Sequence, residues 1–352
     1  MRLYRFHQSF SRPHRALAAL TAALPLVALL VFGAASPATA AQPTLTLYNG
    51  QHQQMVRLLV SAFEKDTGIH VKVRSGESPE IATEIVREGK HTPADVFFSE
   101  NSPELQRLQK KGLLAPVAPS TLKQIPSRYS SAKGLWIGVL ARQDVLTYNP
   151  RMIKKSSLPK SLLALAEPRY KGKVAIAPTD SDFYPLVGAV LATYGRSRTL
   201  QWLRGLKHNA QLYQDDEGAA AAVEKGAVAM GIVNNYYYYR LREELGQKRM
   251  ASKLGHFRKD DTGNLVNISG AAVLKYAPHP KLAQKFLAFM VSKKTQTLLA
   301  QSTIDFEYPL RPGVAANSQL EPFDQLQPPK ISVEQLGDNR EALKLLQEAG
   351  LL

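Results

Sequence analysis

Apolar positions along this chain recur at two periods, and the switching between them predicts its elements. Thr44-Leu45-Thr46-Leu47-Tyr48 has the two-residue period of a strand, and Asn49-Gly50 breaks it. Met55, Leu58, Leu59 and Phe63 then fall at helical spacing over about 53–66, with a stop at Thr67-Gly68. Ile69-His70-Val71-Lys72-Val73 returns to the strand period, and a second helix is expected over about 79–88. Ala94-Asp95-Val96-Phe97-Phe98-Ser99 reads as a buried strand, followed by a helix over about 103–112. The pattern resumes with a strand at 174–177, helices over about 183–194 and 200–207, a short helix at 219–225 and a strand at 228–233. A further helix begins inside four consecutive tyrosines, Tyr236 to Tyr239. The stretch 136–148 reads as a crossover strand, and 268–274 as the return. Strand and helix alternating in this way describe an α/β fold with a largely parallel sheet. Two such units without a flexible linker predict a two-lobed binding-protein architecture with a ligand cleft between the lobes. The expected boundaries are 41–144 with 268–318 for the first lobe, and 145–267 with 319–352 for the second.

The first forty residues stand outside this pattern. Arg2, Arg5, Arg12 and Arg15 lead into an apolar stretch over about 16–35, and Ala38-Thr39-Ala40 has the small-x-small form of a cleavage site. These are the marks of a secretory signal peptide, with cleavage expected after Ala40. An uncleaved anchor is the alternative that the length of the stretch allows; Pro25 and the cleavage pattern favour removal. The chain has no cysteine, so it forms no disulfide and has no lipid attachment point at a leader cysteine. A free periplasmic protein is expected. The net charge of +16 falls to +12 without the four leader arginines. Its basic residues are dispersed as pairs such as Lys110-Lys111 and Lys293-Lys294. Export and the lack of an arginine-rich stripe exclude a nucleic-acid partner and leave a solvated basic surface.

Ligands in open α/β sheets collect at the carboxyl ends of strands. Four stretches fall there: Tyr48 to His52, Ser99-Glu100-Asn101, Thr179-Asp180-Ser181-Asp182, and Asn234 to Tyr239. Their side chains are His, Glu, Asp and Tyr, an oxygen-dominated set of metal donors. A phenol titrates near pH ~10 and is ordinarily a neutral packing group. It becomes an anionic ligand only against a highly charged cation. One glutamate, two phenolates and a neutral histidine match a trivalent ion, whereas zinc prefers Cys and His, and calcium prefers carboxylates and carbonyls. Each residue also has a plain structural reading. His52 caps a strand end or lies on the surface, Glu100 and the aspartates cap the following helices, and the tyrosines pack.

These segments resemble the bacterial periplasmic ferric-ion-binding proteins, the substrate-binding components of iron(III) ABC importers. Leu47-Tyr48-Asn49-Gly50-Gln51-His52, Pro93 to Glu100 and Ile232 to Tyr237 carry the resemblance most specifically. Trp202 to Leu206, Ser269 to Lys275 and Glu307 to Leu310 extend it over essentially the whole mature chain. The resemblance implies a Venus-flytrap fold with Fe3+ as cargo, held by His52, Glu100, Tyr236 and Tyr237. Tyr238 and Tyr239 stand where the family often has other residues; they are given no metal role and are expected to pack on the helix flanks. It implies a monomer that docks on a permease in the inner membrane. Many members complete the metal shell with phosphate or carbonate at a helix N-terminus. Here that loop reads Pro178-Thr179-Asp180-Ser181-Asp182-Phe183, and Asp215-Asp216 stand where a family asparagine assists the anion. Asn101 replaces the glutamine that usually follows the ligand glutamate. Thr179, Ser181, Asn234 and Asn101 remain as anion or second-layer candidates. Asp180 and Asp182 either repel an anion or cap the helix and point away. The competing readings are a solute-binding relative for an anion, a polyamine or another metal, an exported metal-dependent hydrolase, and a membrane-coupled sensor. No nucleophile motif or His-rich metal motif supports the hydrolase.

Overall fold

The computed structural model of the protein describes residues 43–352, so the leader expected over 1–40 lies outside the described residues. Strand β1 (Thr44–Asn49) leads into helix α1 (Gln53–Thr67), β2 (His70–Ser75), α2 (Ser78–Glu88), β3 (Val96–Ser99), α3 (Ser102–Lys110) and the short α4 (Pro119–Leu122). The long strand β4 (Ile137–Tyr148) follows. Beyond it come β5 (Val174–Ile176), α5 (Phe183–Asn209), β6 (Ala210–Leu212), α6 (Asp216–Lys225), β7 (Met230–Asn234), α7 (Asn235–Leu245) and β8 (Lys253–Gly255). The chain closes with β9 (Val266–Val273), α8 (Pro280–Met290), α9 (Lys293–Ala300), β10 (Tyr308–Pro309) and α10 (Arg340–Glu348).

Local chemistry accounts for the elements near the cleft. α1 buries Met55, Val56, Leu59 and Phe63 on one face, and Gly68 ends it in the left-handed conformation with its N–H on Glu64 O. Phe63 meets Phe286 of α8 edge-on at 4.8 Å, and burial of such a side chain stabilises by about 1.5–3 kcal/mol. The two helices expected over 183–207 are one run, α5, broken at Gly195, where φ is 76° and only glycine is comfortable.

The sheet runs β2-β1-β3-β9-β4-β7-β5-β6, with β8 and β10 also on β4. The expected parallel pairing holds at the outer strands, β2-β1-β3 and β7-β5-β6. The centre is antiparallel, because β9 returns against both β3 and β4, and β4 runs against β7. β4 is shared by the two halves of the sheet. Its residues up to Gln143 pair with β9, those from Asp144 pair with β7, and all twelve are buried.

The fold is therefore a two-lobed α/β structure on a shared central strand. Its buried side chains separate accordingly. Leu45, Leu47, Phe97, Phe98 and Trp136 belong to one core, and Leu146, Val174, Ile176, Trp202 and Ile232 to another. The C-terminal stretch is divided between them. Leu320, Leu326 and Val333 pack with the first core, although 319–352 was expected in the second lobe, and Leu336, Leu345 and Leu346 pack with the second. No helix among the described residues is long and apolar enough to cross a membrane.

Candidate metal centre

The carboxyl ends of β1, β3, β5 and β7 open on one cleft of about 750 Å³, lined by His52, Glu100, Thr179, Asp180, Ser181 and Tyr237 among others. The four loops picked out in the sequence thus meet.

The first two loops are tied together by backbone chemistry. The Asn49 side chain accepts from Gln51 N–H and donates to Gln51 O, making a tight turn after β1. The Ser78 hydroxyl donates to Gly50 O and accepts from Glu100 N–H, bridging the turns after β1 and β3. That bridge requires glycine at residue 50, since a Cβ there would lie 2.3 Å from Ser78 Oγ and 2.7 Å from Ser78 Cα. The tyrosine loop is pinned by Asn235, whose amide accepts from Gln143 N–H and donates to Phe306 O.

The plain structural readings fail for His52 and Glu100. His52 occupies the N-cap position of α1 but makes no side-chain capping bond. Its Nε2 instead lies 3.2 Å from Glu100 Oε1, and its Nδ1 lies 3.3 Å from Asp305 Oδ1. The N-cap position of α3 belongs to Asn101, so Glu100 does not cap the helix. Tyr236 is fully buried; its hydroxyl donates to Asp182 Oδ2 at 2.8 Å and lies 3.3 Å from Glu100 Oε1. The ring of Tyr237 packs 4.2 Å from that of Tyr236 and reaches the cleft wall. Tyr238 and Tyr239 turn away: Tyr239 stacks on Phe306, and the Arg242 guanidinium lies over both rings.

The aspartates of the 179–182 loop behave differently from one another. Asp180 accepts from the N–H of Asp182 and of Asp216, as a helix-terminal carboxylate does. Asp182 makes no capping bond to α5 and turns instead to Arg142, Asn101 and the Tyr236 hydroxyl. Thr179 donates its hydroxyl to Gln214 O. Asp215 caps α6 through Gly218 N–H. Asn234 is fully buried, and neither polar atom of its amide has a hydrogen-bond partner among the described residues. Asn101 donates from its amide to Asp182 Oδ1.

The organising charge is Arg142, a fully buried side chain in the middle of β4 that the sequence reading did not single out. Its guanidinium donates to Glu100 O at 2.5 Å, Asn101 Oδ1 at 2.6 Å and Asp182 Oδ1 at 2.9 Å. It also lies 3.5 Å from Glu307 Oε1 and 3.7 Å from Glu100 Oε1. Asp305 and Glu307, likewise unforeseen, flank Phe306, whose φ of 49° is a strained value for a bulky residue. Asn235 and Tyr239 hold that kink in place.

The electrostatics keep protons in the cleft. Burial, then the Asp182 charge, pushes the phenols of Tyr236 and Tyr237 well above their ordinary range. Burial, then Asp182, pushes Glu100 up to about 8. Burial opposes charge on His52, but Glu100, Asp305 and Glu307 outweigh it and raise the imidazole to about 10. Burial also opposes charge on Asp182, yet Arg142 and the Tyr236 hydroxyl hold it below the usual carboxylate range. A cation entering here displaces protons from His52, Glu100 and the phenols. Among the described residues no three His, Cys, Asp or Glu side chains form a metal-holding group on their own.

The sequence profile of the family described as bacterial extracellular solute-binding protein matches residues 59–325. The chain belongs to that family. The Fe(3+)-binding periplasmic protein of Serratia marcescens is 38% identical over 324 residues, which cover 92% of this chain and 95% of the relative. The crystal structure of iron-bound HitA from Pseudomonas aeruginosa superposes with a TM-score of 0.84 at 42% identity, covering 88% of this chain and 99% of that one. A Trichodesmium protein in complex with iron and citrate follows with a TM-score of 0.76 at 30% identity, over 87% and 99% of the two chains. The resemblance read from the sequence is thus a family relationship. This solute-binding protein is a transport component and not an enzyme, which removes the hydrolase reading.

Proposed function

We propose that this chain captures iron(III) in the periplasm as the binding component of an ABC importer. The observation that carries the reading is that the three strand-end loops bearing His52, Glu100 and Tyr236-Tyr237 come together. His52, Glu100 and Tyr236 stand in a chain of contacts at 3.2 and 3.3 Å, with Tyr237 packed against Tyr236. These four are the proposed ligands. The set is hard and anionic, as a trivalent ion prefers. The names of the Serratia marcescens and Pseudomonas aeruginosa relatives support the cargo.

In this account the leader is removed after Ala40, and the mature monomer works between a lobe built around 41–144 and one built around 145–267. Iron bridges them, favours the closed form by its differential affinity, and is handed to an inner-membrane permease. The test is optical. Metal-free protein titrated with ferric nitrilotriacetate is expected to turn red to orange through phenolate-to-iron charge transfer, saturating at equimolar iron. A colourless protein that retains phosphate, a polyamine or a divalent metal instead would overturn the assignment.

A further inference from the structure

Glu104 of α3 and Asn339, just before α10, meet where the two cores adjoin. Leu105 and Leu108, beside Glu104, pack in the first core, and Leu336, Ala342 and Leu345, around Asn339, pack in the second. The Asn339 amide donates to Glu104 Oε1 at 2.9 Å. The two residues are buried, at 4% and 5% exposure. One oxygen of each is left over. Glu104 Oε2 and Asn339 Oδ1 are buried and have no hydrogen-bond partner among the described residues. Both are acceptors when Glu104 is ionised, so neither can serve the other, and two stranded buried acceptors are costly. One proton relieves both. A carboxylic acid donates its O–H to the amide oxygen while the amide N–H donates to the other carboxyl oxygen, and the two planar groups close a ring of two hydrogen bonds.

The cations around Glu104 are engaged elsewhere. Arg107 donates to Thr83 Oγ1, and Lys110 and Arg340 both pair with Asp338, at 3.0 and 2.9 Å. Arg142 is committed to Asp182 and its neighbours. Lys111 and the Tyr184 phenol complete the titratable groups around the cavity of about 530 Å³ that Glu104 and Asn339 line. Burial raises the Glu104 carboxyl to about 7, against the opposing pull of its own N–H, the Asn339 amide, Arg107 and Arg142. The Lys110 to Asp338 pair joins α3 to the same segment beside this contact.

We propose that Glu104 and Asn339 form a proton-dependent latch between the lobes, in which protonated Glu104 completes the two-bond ring and favours the closed form. Opening exposes Glu104 to water and returns it toward its ordinary value of 4.5. Between that value and about 7 the closed form therefore holds a proton that the open form lacks, and each pH unit of fall favours closure about tenfold. Above that window the closed form carries an ionised Glu104 and both stranded acceptors. The latch acts on the lobes and not on the cargo, so it stands or falls independently of the iron(III) reading.

The chain has no cysteine, so Lys72→Cys and Lys207→Cys, exposed positions in β2 and α5, take a pair of spin labels without background. Interlobe distances in the metal-free mature protein are recorded from about pH 5 to about pH 8.5 for the labelled parent, Glu104→Gln and Asn339→Gly. Thermal melts first establish that the variants fold. Glu104→Gln completes the ring at every pH, because its amide N–H replaces the acid O–H. Asn339→Gly removes the partner and suits the backbone, whose φ is 63° there. Glu100 and His52 also titrate in the cleft, but all three proteins share them, so the differences isolate Glu104. As pH falls from about 7 to about 5.5, the closed-to-open ratio of the parent should rise more steeply than that of Glu104→Gln, by about tenfold per unit. At about pH 8, Glu104→Gln should be the more closed of the two by at least about tenfold. Asn339→Gly should be more open than the parent at about pH 5.5 and show a shallower slope. A parent whose distances do not move with pH, equal slopes for the parent and Glu104→Gln, or an Asn339→Gly protein that matches the parent at about pH 5.5 overturns the proposal.

Discussion

Phenylalanine at both residue 236 and residue 237 is expected to abolish iron binding and its colour while leaving a folded protein. The substitution keeps ring volume, so the packing of Tyr236 in the first core and its ring contact with Tyr237 survive. It removes one hydrogen bond, Tyr236 to Asp182, a neutral-donor bond to a charged group worth about 1.5–3 kcal/mol. What disappears entirely is the pair of phenolate donors. Outer-layer changes at metal sites already cost 10–100-fold in affinity, so losing two ligands should cost more than about a thousandfold. Tyr238→Phe and Tyr239→Phe provide the contrast, since both rings lie beneath Arg242 and away from Glu100. They should retain the full band in a ferric nitrilotriacetate titration. A double variant at 236 and 237 that still colours, or a Tyr239→Phe protein that does not, would contradict the assignment within the tyrosine run.

The second large effect belongs to Arg142. Its guanidinium is the cation shared by Asp182, Glu100 and Glu307, all of them buried. Arg142→Leu leaves the Asp182 carboxylate without its counter-charge and removes the donors to Glu100 O and Asn101 Oδ1. Breaking one side of a buried ion pair typically costs about 3–5 kcal/mol. Urea unfolding of the metal-free protein should show a loss of that size. Arg142→Lys keeps the charge but not the planar fork, and should recover only part of it. Adding Asp182→Leu to Arg142→Leu should cost less than the sum of the single changes, because the orphaned carboxylate goes with the arginine. Iron(III) should stabilise Arg142→Leu more than it stabilises the wild type, since the cargo supplies the missing positive charge. A loss under about 1 kcal/mol would mean that solvent, and not Arg142, compensates these carboxylates.

Much of this was legible in the sequence because strand ends are. The β1, β3 and β7 loops follow clear apolar runs, and His52, Glu100 and the tyrosines stand immediately beyond them. The stretch 136–148 was readable as a crossover because it is too long and too apolar for an ordinary edge strand, and it spans both halves of the sheet. Arg142 was hidden by the same feature. In a run such as Ile137 to Tyr148, a single arginine reads as an interruption, and only the tertiary fold reveals that every residue of the strand is buried. The one available signal was the polar triplet Arg142-Gln143-Asp144 at the centre of that run, where the strand changes partners.

The orientation of Asp182 was undecidable for a related reason. A carboxylate just before a helix serves equally well as a cap or as a cleft group, and the choice is made by Arg142, forty residues earlier in the chain. Asp180, two residues away, took the capping role. Asp305 and Glu307 lie in an irregular loop around a positive-φ phenylalanine, a geometry to which no hydrophobic period corresponds. The division of residues 319–352 between the two cores was missed because the stretch before α10 contains only one short 3-10 turn, at Phe323–Gln325, to indicate which lobe it follows.

The central claim is that four residues from three loops hold one iron(III) in the cleft. Diffraction recorded at the iron absorption edge, on crystals of the iron-loaded protein, tests it most directly. The account predicts an anomalous peak within about 2–2.3 Å of His52 Nε2, a Glu100 carboxylate oxygen and the hydroxyl oxygens of Tyr236 and Tyr237. A peak at surface histidines, or a cleft without iron in protein that has bound it, would contradict the account.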